Sequence, residues 1–397
     1  MALDPEHARN IPAHLIALYT DAELTLLRLL AEAIIDSIDT DQWQQVQASR
    51  QVEFRQAAEA LARHLQAAMP QLLQDAVQAA AALGEQAADE DADPQTPAAV
   101  SAAATGTAAA APGRAPRRDR VPVPRTVAAA QSAWSTLAHA TQQLPGNADR
   151  LYGQVLAQIQ IRSQEVPRLT PHTGGILGAP RATGTRLDAA QQALDILTKR
   201  GITGFRDRGG RNWSLTSYVE MLSRTVVNEE LRESHIARAL EHGHTLMVVS
   251  SHSKPAPQCQ PYEGQVLSLD GSTGTVELKS ATTGRQVQVR IKATMREAIS
   301  KGFRHPNCGH ALSRFVPGAS RTFTTTPDPE GYAATQKQRA MERAIRDTRR
   351  RQAVAVTPQA KREAAARLRA QREAIAQHVD EHGLTRRPRR EQINQAR

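Results

Sequence analysis

Both cysteines of this chain lie in two short segments that also carry histidines, SSHSKPAPQCQPYEG and FRHPNCGH. The first supplies His252 and Cys259, the second His305, Cys308 and His310. Zinc takes four nitrogen or sulfur ligands, commonly from two short clusters that folding brings together. His252, Cys259, Cys308 and His310 make such a set, with His305 as the alternative to one of them. Three other readings stay open at this point. Free cysteines are often small buried hydrophobes; the two thiols pair in an oxidising exterior; the histidines cap turns beside Pro255, Pro257 and Pro306. A different chemistry also uses the second segment. His305, Asn307 and His310 resemble the residues of a metal-dependent nuclease, in which a histidine base works beside a metal-bound phosphate. Against it, that chemistry draws its residues from separate elements, whereas here one loop holds all three.

These segments need a framework, and the pattern around them predicts an α+β one. HTLMVVSSH, GQVLSLDG, TVELKSA and RQVQVRI are short runs rich in β-branched residues, separated by Asp270-Gly271 and Thr283-Gly284. They read as a small antiparallel β-meander over about 245–292. A short helix, ATMREAISKG, precedes FRHPNCGH. The rest reads mostly as helix. Leucines and isoleucines recur at three- and four-residue spacing over 11–84, with Pro70 as the expected break. Further helices are predicted around 126–143 and 147–163. DAAQQALDILTKRGI should end at Gly201, and another helix should run from near Ser214 to about His242. Leu215, Tyr218, Val219, Leu222 and Val226 share one face of it. Glu220 and Arg224 are spaced for an ion pair on one helix face. Trp213 and Tyr218 are candidate core anchors. The RGGR turn at 208–211 lacks the strand-glycine-helix context of a phosphate loop.

Four regions follow. Residues 1–84 are an N-terminal helical region, and 85–125 an Ala/Pro-rich linker whose composition cannot offset its ordering entropy by burial. Residues 126–330 are the core holding the meander and the HPNC loop. Residues 331–397 are a long basic helical tail, interrupted at Val354–Pro358.

Charge is concentrated in that tail. The chain of 397 residues has 50 Lys+Arg against 40 Asp+Glu, a net charge of +10. The tail alone has 17 basic and 7 acidic residues, so it carries the whole surplus. Arg349, Arg350 and Arg351, then Arg386, Arg387, Arg389 and Arg390, are its densest clusters. An arm of this kind meets phosphates without reading bases. It has no interleaved aromatic residues for stacking on single strands, so double-stranded DNA is the expected polyanion, with an acidic protein surface as the rival. On this reading, deletion of 331–397 removes DNA binding and leaves the core folded. Aromatic residues are only 3% of the composition, which argues against a dense core along the whole length. No stretch approaches the roughly 20 apolar residues that span a bilayer, and the first residues lack a secretory pattern. No membrane and no small-molecule substrate are expected.

Taken in order, GRNWSLTSYVEMLSRT, HTLMVVSSH, CQPYEGQVLSLDG and GFRHPNCGHALSRFVPG resemble the successive blocks of the phage minor capsid protein 2 family, which is related to the Mu F-like head-morphogenesis proteins. The resemblance runs from about Asn147 to the C terminus, and residues 1–125 lie outside it. It implies a non-enzymatic virion component, assembled in the host bacterial cytoplasm, present in few copies at the portal vertex. Its implied role is in head assembly or DNA packaging and delivery, with the portal and other head proteins as partners. Mu F-like relatives often carry a CxxC pair upstream of HPNC. This chain has a single cysteine there, which leaves His252 to substitute.

Overall fold

The computed structural model describes residues 7–92, 126–164, 185–200, 205–206, 212–252, 254–305 and 308–393. The linker from 93 to 125, the RGGR turn, Pro306, Asn307 and the Trp213 side chain lie outside the described set. The helices are α1 (Ala13–Ile35), α2 (Trp43–Ala92), α3 (Thr126–Gln142), α4 (Leu144–Gln164), α5 (Arg186–Arg200), α6 (Leu215–Glu241), α7 (Met295–Ser300), α8 (Pro329–Ala353) and α9 (Pro358–Glu381). A two-stranded ribbon, β1 (Phe205–Arg206) and β2 (Asn212–Trp213), lies between α5 and α6. The chain divides into two compact units. One takes Met1–Ala13, Gln71–Trp134 and Glu220–Gln336; the other takes His14–Pro70, Ser135–Val219 and Lys337–Arg397.

The first unit holds a five-stranded sheet of β3 (Leu246–Val249), β4 (Val266–Ser268), β5 (Gly274–Lys279), β6 (Gln286–Thr294) and β7 (Leu312–Arg314). Its spatial order is β5-β6-β4-β3-β7. The α+β class is as the sequence predicts, but the sheet is mixed and the antiparallel meander needs correction. β4 runs parallel to β6, with a register shift between Val266 and Leu267. Burial gives the reason. Every residue of β4 is buried, whereas β5 is exposed along most of its length. A strand covered on both faces belongs inside the sheet, so β6, with Val289, Ile291 and Ala293 buried on one face, takes the place beside it. β5 is left at the edge. Asp270, expected in a hairpin turn, instead accepts from the Ser272 N–H (3.0 Å) and lets β5 step outward.

Residues of α6, the sheet and α7 build the core of this unit: Ile236, Ala239, Met247, Val249, Leu267, Leu269, Met295, Phe303 and Leu312 among them. Two expectations about α2 change. Pro70 lies inside the helix, which continues unbroken to Ala92, past Gly84. Gly84 packs against α6 so closely that a Cβ there would stand 2.3 Å from the Leu231 carbonyl oxygen and 3.0 Å from the His235 nitrogen. Glycine here admits a neighbouring backbone, and the helix does not stop at it. The Glu220–Arg224 pair forms as its spacing suggests, at 2.7 Å.

In the second unit, buried polar groups tie helices together. The Tyr19 hydroxyl lies 2.8 Å from Thr141 Oγ1, and Tyr152 donates to Gln47 Oε1 at 2.7 Å. Burial pushes the Tyr19 phenol up to about 12, with the Thr141 contact opposing. The α8–α9 hairpin packs through Ile345, Leu368 and Ile375. Its break falls where expected: Thr357 caps α9 by accepting from the Ala360 N–H, and Pro358 opens the helix.

Candidate metal centre

Sheet topology decides which loops meet. Val248 of β3 stands opposite Val266, near the start of β4, and Val249 stands opposite Leu312 at the start of β7. Both pairings are antiparallel, so the loop leaving β3 and the loop entering β7 emerge at the same end of the sheet. Ser250 fastens them: its N–H donates to the Ala311 carbonyl (3.0 Å), and its hydroxyl accepts from the Ala311 N–H (2.9 Å). The β3–β4 loop carries Cys259 immediately before a one-turn 3-10 helix, Gln260–Tyr262. Gly264, with φ of +69°, returns the chain to β4; a Cβ there would lie 2.5 Å from Phe323.

The result is a buried cluster. Cys259, Cys308 and His310 are exposed by 0%, 2% and 2%. Sγ of Cys259 and Sγ of Cys308 lie 3.8 Å apart, and Cys308 Sγ lies 3.3 Å from His310 Nδ1. One ligand atom from each residue falls within 4.8 Å of the other two. Two thiolates on one tetrahedral zinc, each bonded at about 2.3 Å, stand about 3.8 Å apart, so the pair has the separation of shared ligands. Both are free thiols. They also belong to the apolar cluster that includes Met247, Tyr262 and Phe303, so part of the bland reading holds as well.

The surroundings are polar where the ligand atoms point. His310 Nε2 lies 2.9 Å from Glu263 Oε1, which also accepts the His252 N–H at 3.0 Å. Glu263 Oε2 accepts from the Thr325 hydroxyl at 2.7 Å. The buried guanidinium of Arg232 donates to the Cys308 carbonyl. These groups divide the protons of the cluster. The hydrogen bond from Cys259 pushes the Cys308 thiol down, against burial, with His310 and Arg232 adding to the effect. Contact with Cys308 and burial both push Cys259 up, so it keeps its proton. Burial works to lower the His310 pKa, but Cys308 and Glu263 outweigh it and the net shift is upward.

Of the residues singled out by spacing, Cys259, Cys308 and His310 come together. His252 stands at the exposed edge, its ring centroid 4.3 Å from that of His310. His305 takes part through its backbone, its carbonyl accepting the Cys308 N–H at 2.9 Å, and its ring is not in the three-residue group. Asn307 lies outside the described residues. Spacing did not single out Glu263, Arg232 or Thr325. Glu263 stands in the CQPYEG block, but a carboxylate between Tyr262 and Gly264 has no periodic partner to mark it.

The tail arginines have varied surroundings. Arg350 is buried, 3.6 Å from Glu23 and 2.9 Å from Asp347. Arg386 grips the buried Glu391 with two hydrogen bonds, 2.8 and 3.1 Å. Arg390 lies 3.8 Å from the buried Glu342. Arg349, Arg351 and Arg387 are half-buried, and Arg389 is exposed.

Helices with a small mixed sheet make this an α+β protein, and a buried sulfur-histidine cluster joins two loops of the unit that holds the sheet. The family described as phage minor capsid protein 2 matches residues 180–380, just over half of the chain. The chain belongs to that family and is a structural component of a bacteriophage particle. No curated protein and no solved structure matches it. Among the described residues no helix is long and apolar enough to cross a membrane.

Proposed function

We propose that this protein is a low-copy head component seated at the portal vertex, acting in head assembly or in DNA packaging and delivery, and touching double-stranded DNA through its C-terminal hairpin. The observation that carries the DNA contact is the exposed face of α9. Lys361, Arg362, Arg369 and Arg372 are all exposed, and at 3.6 residues per turn they fall within an arc of about 100°. Glu373 borders that face. Arg389 is the exposed member of the arginine clusters and extends the same proposal. Partners in the head follow from the family: portal and other head proteins are the surfaces such a component would meet.

The burial of His310 supports a structural role over the nuclease reading. Its side chain is 1% exposed and its Nε2 faces Glu263, so a phosphodiester has no approach to the ring.

The test is DNA binding at rising salt, comparing the full-length protein with a variant in which Lys361, Arg362, Arg369 and Arg372 are all glutamine. Each neutralised phosphate adds about 0.9 to the slope of log K against log salt. The variant should therefore lose roughly 3 to 4 of that slope. Little dependence on DNA sequence is expected, because phosphate contacts carry none. A wild-type protein that ignores DNA would reassign the face to an acidic protein surface. For the portal vertex, the expected result is a few copies per purified particle, recovered with the portal after cross-linking.

A further inference from the structure

We propose that Cys259, Cys308 and His310 hold a structural zinc ion, with Glu263 as the carboxylate that orients His310. This goes beyond the capsid role proposed above. Three observations support it. The sulfurs stand 3.8 Å apart and Cys308 Sγ stands 3.3 Å from His310 Nδ1, close to the edges of a tetrahedron of zinc ligands. Nε2 of the same histidine meets a carboxylate, the arrangement by which metal-binding imidazoles are fixed in tautomer and direction. Glu263 is itself held by the Thr325 hydroxyl and the His252 N–H, so its position is set before any metal arrives.

Two thiolates and an imidazole form a soft set that suits zinc better than magnesium or calcium. The ion would clamp the loop leaving β3 to the loop entering β7, where the apolar core alone has to close around two thiols and a charged pair. Because the ligands come from distant parts of the chain, binding would be coupled to folding.

A second group of potential ligands, His378, Glu381 and His382 at the end of α9, supplies the internal control, since Glu381 and His382 are exposed. Full-length protein purified without a metal-affinity tag should contain one zinc per chain by mass spectrometry. Cys308→Ser and His310→Ala should lose it, and His382→Ala should keep it. Glu263→Gln should bind zinc about 10- to 100-fold more weakly. Core substitutions can also unfold the chain, so the second measurement uses the unaltered sequence. Cobalt(II) exchanged into the wild-type protein should show a thiolate-to-cobalt charge-transfer band. The proposal is overturned by folded wild-type protein that contains no zinc and gives no such band with cobalt. It is equally overturned by zinc lost on His382→Ala and kept on Cys308→Ser, or by a Cys259–Cys308 disulfide in the native protein.

Discussion

His244 sits half-buried just after α6, its N–H bonded to the Ala239 carbonyl at 2.9 Å. Burial first, then the charges of Arg314 and His242, push its pKa down to about 4, while Asp91 pulls the other way. The consequence for stability follows from proton counting. Between pH 6.5 and about 4 the unfolded chain binds a proton at this residue and the folded chain does not, so stability falls as pH falls through that window. His244→Gln should flatten the dependence of melting temperature on pH there, while Asp89, whose carboxyl Arg238 holds below its usual value, acts at lower pH. Equal slopes in both proteins would show that His244 is not the group responsible. The same residue scale separates what was legible from what was not. Cysteine and histidine announce themselves by type, so the cluster could be assembled on paper. Glu263 and Arg232 could not, because glutamate and arginine are common and only their burial beside His310 and Cys308 sets them apart.

Helices show how local signals succeed and where they mislead. The break between α8 and α9, the run of α6 from Leu215 to Glu241 and the short α7 all follow from caps, prolines and periodicity. Pro70 and Gly84 are the same kind of signal, yet α2 passes through both. A proline in a helix removes one hydrogen bond, a loss that packing along a long helix can outweigh. Gly84 has a positive role that is testable. Alanine raises helix propensity by about 1 kcal/mol over glycine. Gly84→Ala should nonetheless destabilise the protein by about 1–3 kcal/mol, because the added methyl meets the backbone of α6. Chemical denaturation of the two proteins decides it; a more stable alanine variant would show that α2 and α6 can separate without cost. Strand pairing is the element-scale feature that local reading could not reach. Consecutive strands usually neighbour one another, and here β5 cedes that place to β6.

For the whole molecule, the basic tail is the part whose meaning changes most with the fold. Its charge surplus suggests an arm that could be removed at will. In the structure Arg350 neutralises the buried Glu23, and Gln191 accepts the Val356 N–H at 2.7 Å. Deleting 331–397 would leave Glu23 and Gln191 buried without these partners and expose apolar surface. The truncated chain is therefore expected to lose the cooperative unfolding of the unit that contains α1, measured by circular dichroism during heating. A truncated protein that melts like the full chain would restore the picture of a detachable arm. For the same reason, the glutamine substitutions on α9 are the cleaner probe of DNA contact.

The sequence by itself determined the helical majority, the β-rich insertion, the break at Val354–Pro358, the basic tail, the two segments that carry the cysteines and the family. Each of these depends on residues close together in the chain, or on composition, and survives without knowledge of the fold. Tertiary structure alone decided that β4 lies parallel to β6, that Gly84 is a point of close packing, that Arg350 is a buried counter-charge and that Glu263 sets His310. All four depend on residues far apart in sequence, and on which of them lose contact with water. That loss of solvent makes a pairing or a close approach energetically decisive, and no spacing along the chain encodes it.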